Sequence, residues 1–241
     1  MTGFLMPVAA IIVAAGRGSR AGGEIPKQYR NLAEKPVVTH ALRTFLAHPL
    51  VGAVLPVIHG DDGSRFAEAA SLAGPPSEKL RPPVPGGATR QDSVRRGLEA
   101  LTAEAPDLVL VHDAARPFVT PDLVDRSVAA GRAHGAAVPG IPVTDTVKVV
   151  DPRGRVIETP DRARLRAVQT PQAFAYPALL DAHRRAARAG LLDFSDDGAL
   201  AEWAGDAVPY LVSAGLCAGT FAVLATRERE PRRRAAAERS A

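Results

Sequence analysis

The run Val8-Ala9-Ala10-Ile11-Ile12-Val13 passes directly into Ala14-Ala15-Gly16-Arg17-Gly18-Ser19-Arg20-Ala21-Gly22-Gly23. A short apolar stretch rich in β-branched residues has the pattern of a strand, and the glycines behind it end the strand in a turn. Similar runs recur at 51–58, 108–111, 136–138, 146–150 and 208–212. Between many of them lie stretches with apolar residues three or four apart, at 36–46, 91–101, 121–133 and 177–189, which is helical spacing. Strands alternating with helices predict an α/β fold of three layers around a mostly parallel, Rossmann-like sheet. Ligands of such sheets bind beyond the carboxyl ends of the strands, here just after Val13, Val111 and Val138.

One stretch breaks the alternation. Between Pro142 and Ala167, strand-like pieces at 146–150 and 155–158 flank Asp151-Pro152-Arg153-Gly154, a strong turn signal. The expectation is a protruding β-hairpin arm over about 142–167, with no helix of its own to cover it. A lone two-stranded ribbon is marginal, so a second copy of the chain is expected to cover it, in a homodimer. Residues 1–226 read as a single domain and 227–241 as a basic, disordered tail.

The 241 residues are 46% hydrophobic, 23% charged and 5% aromatic, which excludes collagen-like and wholly disordered chains. Cys217 is the only cysteine, so neither an internal disulfide nor a cysteine-based zinc site is open to the chain. The formal charge of +4 is not a nucleic-acid signature. Residues 227–241 carry six arginines against three glutamates, leaving a single net positive charge for everything before them. No nucleic-acid partner is expected. Arg17 and Arg20 follow the first apolar run instead of preceding it, the wrong order for a secretory signal. The uncharged stretch 207–225 contains Pro209, Gly215 and Gly219 and reads as no membrane span. The expected location is the cytoplasm, away from membranes.

The glycine loop is where the chemistry starts. Glycines let consecutive N–H groups face an anion, and Arg17, Arg20 and Lys27 place positive charge around it. It is not a Walker loop, because Glu24-Ile25 stands where Lys-Ser/Thr is required. Gly16-Arg17-Gly18-Ser19-Arg20-Ala21 does satisfy the dinucleotide pattern G-x-G-x-x-A. The ribose-binding acid of that pattern should lie about 20 residues further on, whereas the next strand ends only at Ile58, followed by Asp61 and Asp62. Two arginines and a lysine suit a triphosphate better; a plain strand-to-turn connection with solvated arginines is the bland alternative.

Ala14 to Gly18, followed by Pro26-Lys27-Gln28-Tyr29, resembles the signature of sugar-phosphate nucleotidyltransferases. Four further segments agree in order: Gly86-Gly87-Ala88-Thr89-Arg90-Gln91-Asp92-Ser93-Val94; Val111-His112-Asp113-Ala114-Ala115-Arg116-Pro117; Thr144-Asp145-Thr146-Val147-Lys148; and Arg162 running to Gln169-Thr170-Pro171-Gln172-Ala173-Phe174. Together, over about residues 7–212, they resemble the 2-C-methyl-D-erythritol 4-phosphate cytidylyltransferase family of non-mevalonate isoprenoid biosynthesis. The resemblance implies CTP and a polyol phosphate as substrates, CDP-methylerythritol and pyrophosphate as products, and Mg2+ held mainly through the CTP phosphates, with no residue assigned to the metal.

It also implies roles. Arg20 and Lys27 match the charged pair of the loop and are the candidate catalytic residues, neutralising charge at the phosphates as pyrophosphate departs. Ala14, Ala15, Gly16, Gly18, Gly87, Arg90, Ser93 and Asp113 match nucleotide-binding positions. Asp92 or Ser93 would equally serve as the cap of the helix that follows. Arg116, Thr146, Arg162 and Thr170 match positions for the polyol phosphate, a guanidinium suiting a phosphate monoester through paired hydrogen bonds. Thr146 lies on the arm, so this half of the site is expected to cross the dimer interface. His112 reads as a packed neighbour of Asp113, and Asp196-Asp197 as metal ligands or a helix cap, left outside the site.

The pattern fails near the end. The family normally carries Asn-x-Lys-x-Thr there, the lysine meeting CTP phosphates; the best placement puts Thr220 at the asparagine and Ala222 at the lysine, and no lysine follows Lys148. This leaves open a CTP-binding homologue that has lost turnover with the lysine; a ribitol-phosphate cytidylyltransferase is the other alternative, because the loop and cytosine segments would serve both.

Overall fold

Residues 8–14 form the first strand, β1 (Val8–Ala14), and all but Val13 are buried. The computed structural model describes residues 8–17, 25–205 and 209–213. After β1 come the two-residue partners β2 (Asn31–Leu32) and β3 (Lys35–Pro36), then α1 (Val37–Ala47), β4 (Val51–Ile58), α2 (Gly63–Ser71), β5 (Val84–Pro85) and α3 (Arg90–Ala100). They are followed by β6 (Leu108–Asp113), α4 (Pro121–His134), β7 (Ala136–Pro142), β8 (Val149–Val150), β9 (Val156–Glu158), β10 (Arg166–Val168) and β11 (Gln172–Ala175). The chain continues through α5 (Tyr176–Arg188), α6 (Asp197–Ala204) and β12 (Tyr210–Ser213).

β1 lies between β4 and β6, parallel to both, with Ala10 opposite Val54 on one side and Leu110 on the other. Side chains alternate between the faces of a strand, so β1 serves two cores. Val8, Ala10, Ile12 and Ala14 pack with Val38, Leu42 and Phe45 of α1, Phe66 of α2 and Val124 and Val128 of α4. Ala9 and Ile11 pack with Val94 and Leu98 of α3, Leu179 and Leu180 of α5 and Leu200 of α6. Three layers result, as expected. Gly97 explains how close α3 sits: a Cβ there would stand 3.0 Å from the side chains of both Ile11 and Val57.

The sheet is parallel at its centre and mixed at one side. β4 pairs parallel with β5, and β12 parallel with β7. β11, however, runs antiparallel to both β6 and β7, and β10 antiparallel to β7. That orientation brings the start of β11 to the carboxyl end of β6, Gln172 opposite Val111. The predicted arm is a hairpin, with β8 and β9 antiparallel across the turn, shorter than the expected pieces. Residues 146–148 and Arg155 are outside its strands. Val150, Val156 and Ile157 are exposed on it. Gly18, Arg20, the proposed Thr220 and Ala222 alignment and the tail 227–241 lie outside the described residues. No described helix is long and apolar enough to cross a membrane.

Candidate active site

Three segments meet at the carboxyl edge of β1 and β6. The first is the exit from β1, where Ala14 and Ala15 are buried and Gly16 is exposed. Gln28 is buried beneath it and donates from its side-chain amide to the carbonyls of Ala14, at 2.6 Å, and Gly16, at 3.0 Å. Gln28 sits on the single 3-10 turn Lys27–Tyr29, which leaves Lys27 exposed next to it. Arg17 is a correction to the positive rim read from the sequence. Its guanidinium is bound by Asp61 at 2.9 Å and Asp62 at 3.2 Å and also meets His59, so the acids after β4 offset its charge.

The second segment is the turn before α3. Gly86 donates to the carbonyl of Ile58 at 2.7 Å, and a Cβ on it would stand 2.2 Å from the Cβ of Ala15. Only glycine brings this turn against the β1 exit. Gly87 N–H donates to Ser93 Oγ at 3.0 Å, and Ser93 Oγ donates in turn to the carbonyl of Thr89 at 2.9 Å. The cap of α3 is neither Asp92 nor Ser93 but Thr89, whose hydroxyl accepts from Asp92 N–H at 3.0 Å. Ser93 is thereby tied to the Gly87 backbone.

The third segment is the end of β6 with the start of β11. A cleft of about 330 Å3 opens here, with Arg90, Asp113, Arg116, Gln169, Thr170 and Gln172 in its walls. The half-buried Asp113 carboxylate accepts from Arg90 Nε at 3.0 Å and from Arg116 Nε at 3.1 Å. Burial alone would push its pKa up, but the two guanidiniums hold it below the usual carboxylate range. Arg116 also reaches Gln169. Thr170 Oγ1 lies 3.3 Å from the Asp113 N–H and 3.0 Å from His112 Nδ1. His112 is fully buried, its other nitrogen 3.0 Å from the carbonyl of Arg116, and burial pushes its pKa down to about 4. It is a neutral packing residue at ordinary pH, as expected.

Behind Arg90 stands a group that the sequence reading left out. The buried Asp197 accepts from Arg90 at 2.8 Å and pairs with the buried His183 at 3.0 Å. Burial would raise the Asp197 pKa, yet Arg90 and His183 hold it far below the usual value. Arg90 in turn, which burial would make more acidic, stays firmly protonated between Asp197 and Asp113. The neighbouring Asp196 caps α6, accepting from Ala199 N–H at 2.9 Å, and accepts from Gln172 at 2.7 Å. The cap reading of the acid pair therefore holds for Asp196, while Asp197 buttresses the cleft. His183 carried a signal: it shares the apolar spacing of Leu179, Leu180 and Ala186, where a histidine implies a buried partner.

The structure does not bring every expected residue to this cleft. Thr146 and Arg162 are exposed on the arm and its base, and Arg162 donates to the carbonyl of Thr144 at 2.7 Å. Neither lines the cleft of their own chain. Among the described residues no cluster of three or more His, Cys, Asp or Glu stands ready to hold a metal.

Comparison with known proteins gives one consistent result. The sequence model of 2-C-methyl-D-erythritol 4-phosphate cytidylyltransferases matches residues 8–215. A bifunctional enzyme IspD/IspF of Nitrobacter winogradskyi is 60% identical over 197 residues, 82% of this chain and 48% of that protein. The chain thus spans about half the length of the curated relatives it matches. Among solved structures, the 2-C-methyl-D-erythritol 4-phosphate cytidylyltransferase of Thermus thermophilus superposes with a TM-score of 0.69 at 32% identity, covering 91% of this chain and 98% of that one. The 4-diphosphocytidyl-2C-methyl-D-erythritol synthase of Anaerococcus prevotii gives 0.76 at 27% identity, covering 88% and 91%.

Proposed function

The chain belongs to the 2-C-methyl-D-erythritol 4-phosphate cytidylyltransferase family, and from that premise we propose that it transfers the cytidylyl group of CTP to 2-C-methyl-D-erythritol 4-phosphate. A phosphate oxygen of the acceptor attacks the α-phosphorus of CTP, the bond from that phosphorus to the β-phosphate oxygen breaks, and pyrophosphate leaves. No protein nucleophile is needed. The work left to the protein is to align two polyanions and to offset the charge that grows on the leaving phosphate.

The observation that carries this reading is the meeting of the β1 exit, the Gly86-Gly87 turn and the Asp113 cleft at one edge of the sheet. The β1 exit and Gly87 with Ser93 would hold the nucleotide, and Lys27 and Arg20 its phosphates. Arg116 and Thr170 would meet the acceptor from this chain, with Thr146 and Arg162 supplied by the partner in a homodimer. The exposed Val150, Val156 and Ile157 supply the apolar surface such a dimer would cover. Mg2+ fits as the companion of CTP, adding positive charge at the triphosphate: both Asp113 oxygens already accept from arginines, so this carboxylate would hold the ion only with phosphate oxygens beside it. Charged phosphate substrates suit a cytoplasmic location.

Purified protein given CTP, Mg2+ and either methylerythritol phosphate or ribitol phosphate should release pyrophosphate with the former. Release only with ribitol phosphate would reassign the acceptor. CTP binding without release from any acceptor would make the chain a nucleotide-binding homologue.

A further inference from the structure

Gln28 has no part in the scheme above, yet it is nearly inaccessible to solvent and directs its amide to two carbonyls of the nucleotide loop. Both acceptors are carbonyl oxygens, so the atom facing them must be the NH2 group. A trans peptide is planar, with the carbonyl of one residue and the N–H of the next pointing in opposite directions. Drawing the Ala14 and Gly16 carbonyls inward onto one amide therefore turns the N–H groups of Ala15 and Arg17 outward. Gly16, between them, is exposed. Among the described residues neither N–H has a backbone partner. Backbone N–H groups turned outward beside an exposed glycine are donors to which an anion can bind.

We infer that Gln28 is a positioning residue for the transfer: it aims the Ala15 and Arg17 amides at the β- and γ-phosphates of CTP. The inference rests on the cytidylyltransferase reading. It also gives the Pro26-Lys27-Gln28-Tyr29 segment two tasks on one turn, the lysine contributing charge and the glutamine setting the backbone that receives the same phosphates.

The test compares CTP with CMP, which keeps the base, ribose and α-phosphate and lacks the other two. In calorimetric titrations Gln28→Met, similar in size and without donors, should bind CTP at least tenfold more weakly than the unaltered protein and bind CMP within twofold. In the pyrophosphate assay its KM for CTP should rise at least tenfold while the KM for the acceptor stays within twofold. Retained CMP binding shows that the variant is folded. Should Gln28→Met not fold, Gln28→Glu, which offers at most one proton to two carbonyls, takes the same measurements. Equal weakening of CTP and CMP, or no weakening of either, overturns the positioning role while leaving the proposed function intact. An unaltered protein that binds no CTP overturns both.

Discussion

Lys27 stands on a single turn whose next residue is locked to the loop, so its ammonium is presented from a fixed base. Lys27→Ala should lower turnover at least tenfold, about 1.4 kcal/mol or more in the barrier, measured as pyrophosphate release at saturating CTP. Turnover near that of the unaltered protein would remove Lys27 from the catalytic set. Gly86 makes a different demand, because its missing Cβ is what lets Ala15 approach. Gly86→Ala should cost roughly 1–3 kcal/mol of stability through overpacking, read from urea unfolding, and an unchanged midpoint would contradict the close approach. Lys27 is legible in the sequence because the residues that mark it are its neighbours, Pro26, Gln28 and Tyr29. The α3 cap, expected at Asp92 or Ser93, lies a few positions away at Thr89, and the Ala15 that Gly86 admits lies far back along the chain. Asp197 is not legible in that way, since the arginine it supports lies 107 positions earlier. Arg17 misled for the same reason. Its charge is plain in the sequence, whereas the carboxylates that bind it arrive from after β4.

The arm was readable at its turn because the turn is made by side chains in sequence. Asp151 Oδ1 accepts from the N–H groups of Arg153 and Arg155, both at 2.9 Å, and Gly154 takes a φ of 80° that a side chain would oppose. Its covering is a matter for the assembly. Deleting residues 149–156 and closing the gap with a short glycine linker should give a folded monomer with almost no turnover, as judged by light scattering and the pyrophosphate assay. An unaltered protein that is a monomer at assay concentration and still turns over would refute the shared site. The long helices α1, α3, α4 and α5 also follow from spacing, their observed ends within a residue or so of those expected. The shorter α2 and α6 do not: α2 buries only Phe66 and Ala69, and α6 has eight residues, too few for a period to show. β11 escaped as well, since four residues cannot announce which way they run.

Stability of the whole molecule should depend on pH through groups at the cleft. His112 is held near pKa 4 in the fold against an ordinary 6.5. The unfolded chain therefore takes up this proton first, and folding stability is complete above about pH 6.5 and falls as the pH drops toward 4. The shift amounts to about 3 kcal/mol over that window. Asp113 and Asp197, whose pKa values the fold lowers, add a further loss only as the pH falls through the carboxylate range. Urea unfolding at about pH 7 and about pH 4.5 should show the first loss in the unaltered protein and little of it in His112→Gln. Equal losses in the two proteins would place the titration elsewhere. The antiparallel β11 has a consequence of another kind. The segment leaving β1 springs from the parallel strands β1, β4 and β6, the most deeply enclosed part of the architecture, while Gln169 and Thr170 ride between the appended strands β10 and β11 beside them. Hydrogen bonding across β6 and β11 fixes the spacing of the two halves as a ruler would. A change in β10 or β11 would then move Gln169 and Thr170 while the parallel strands beneath the β1 exit stay as they are, which makes the β6–β11 pairing a seam along which one wall of the cleft can be altered without the other.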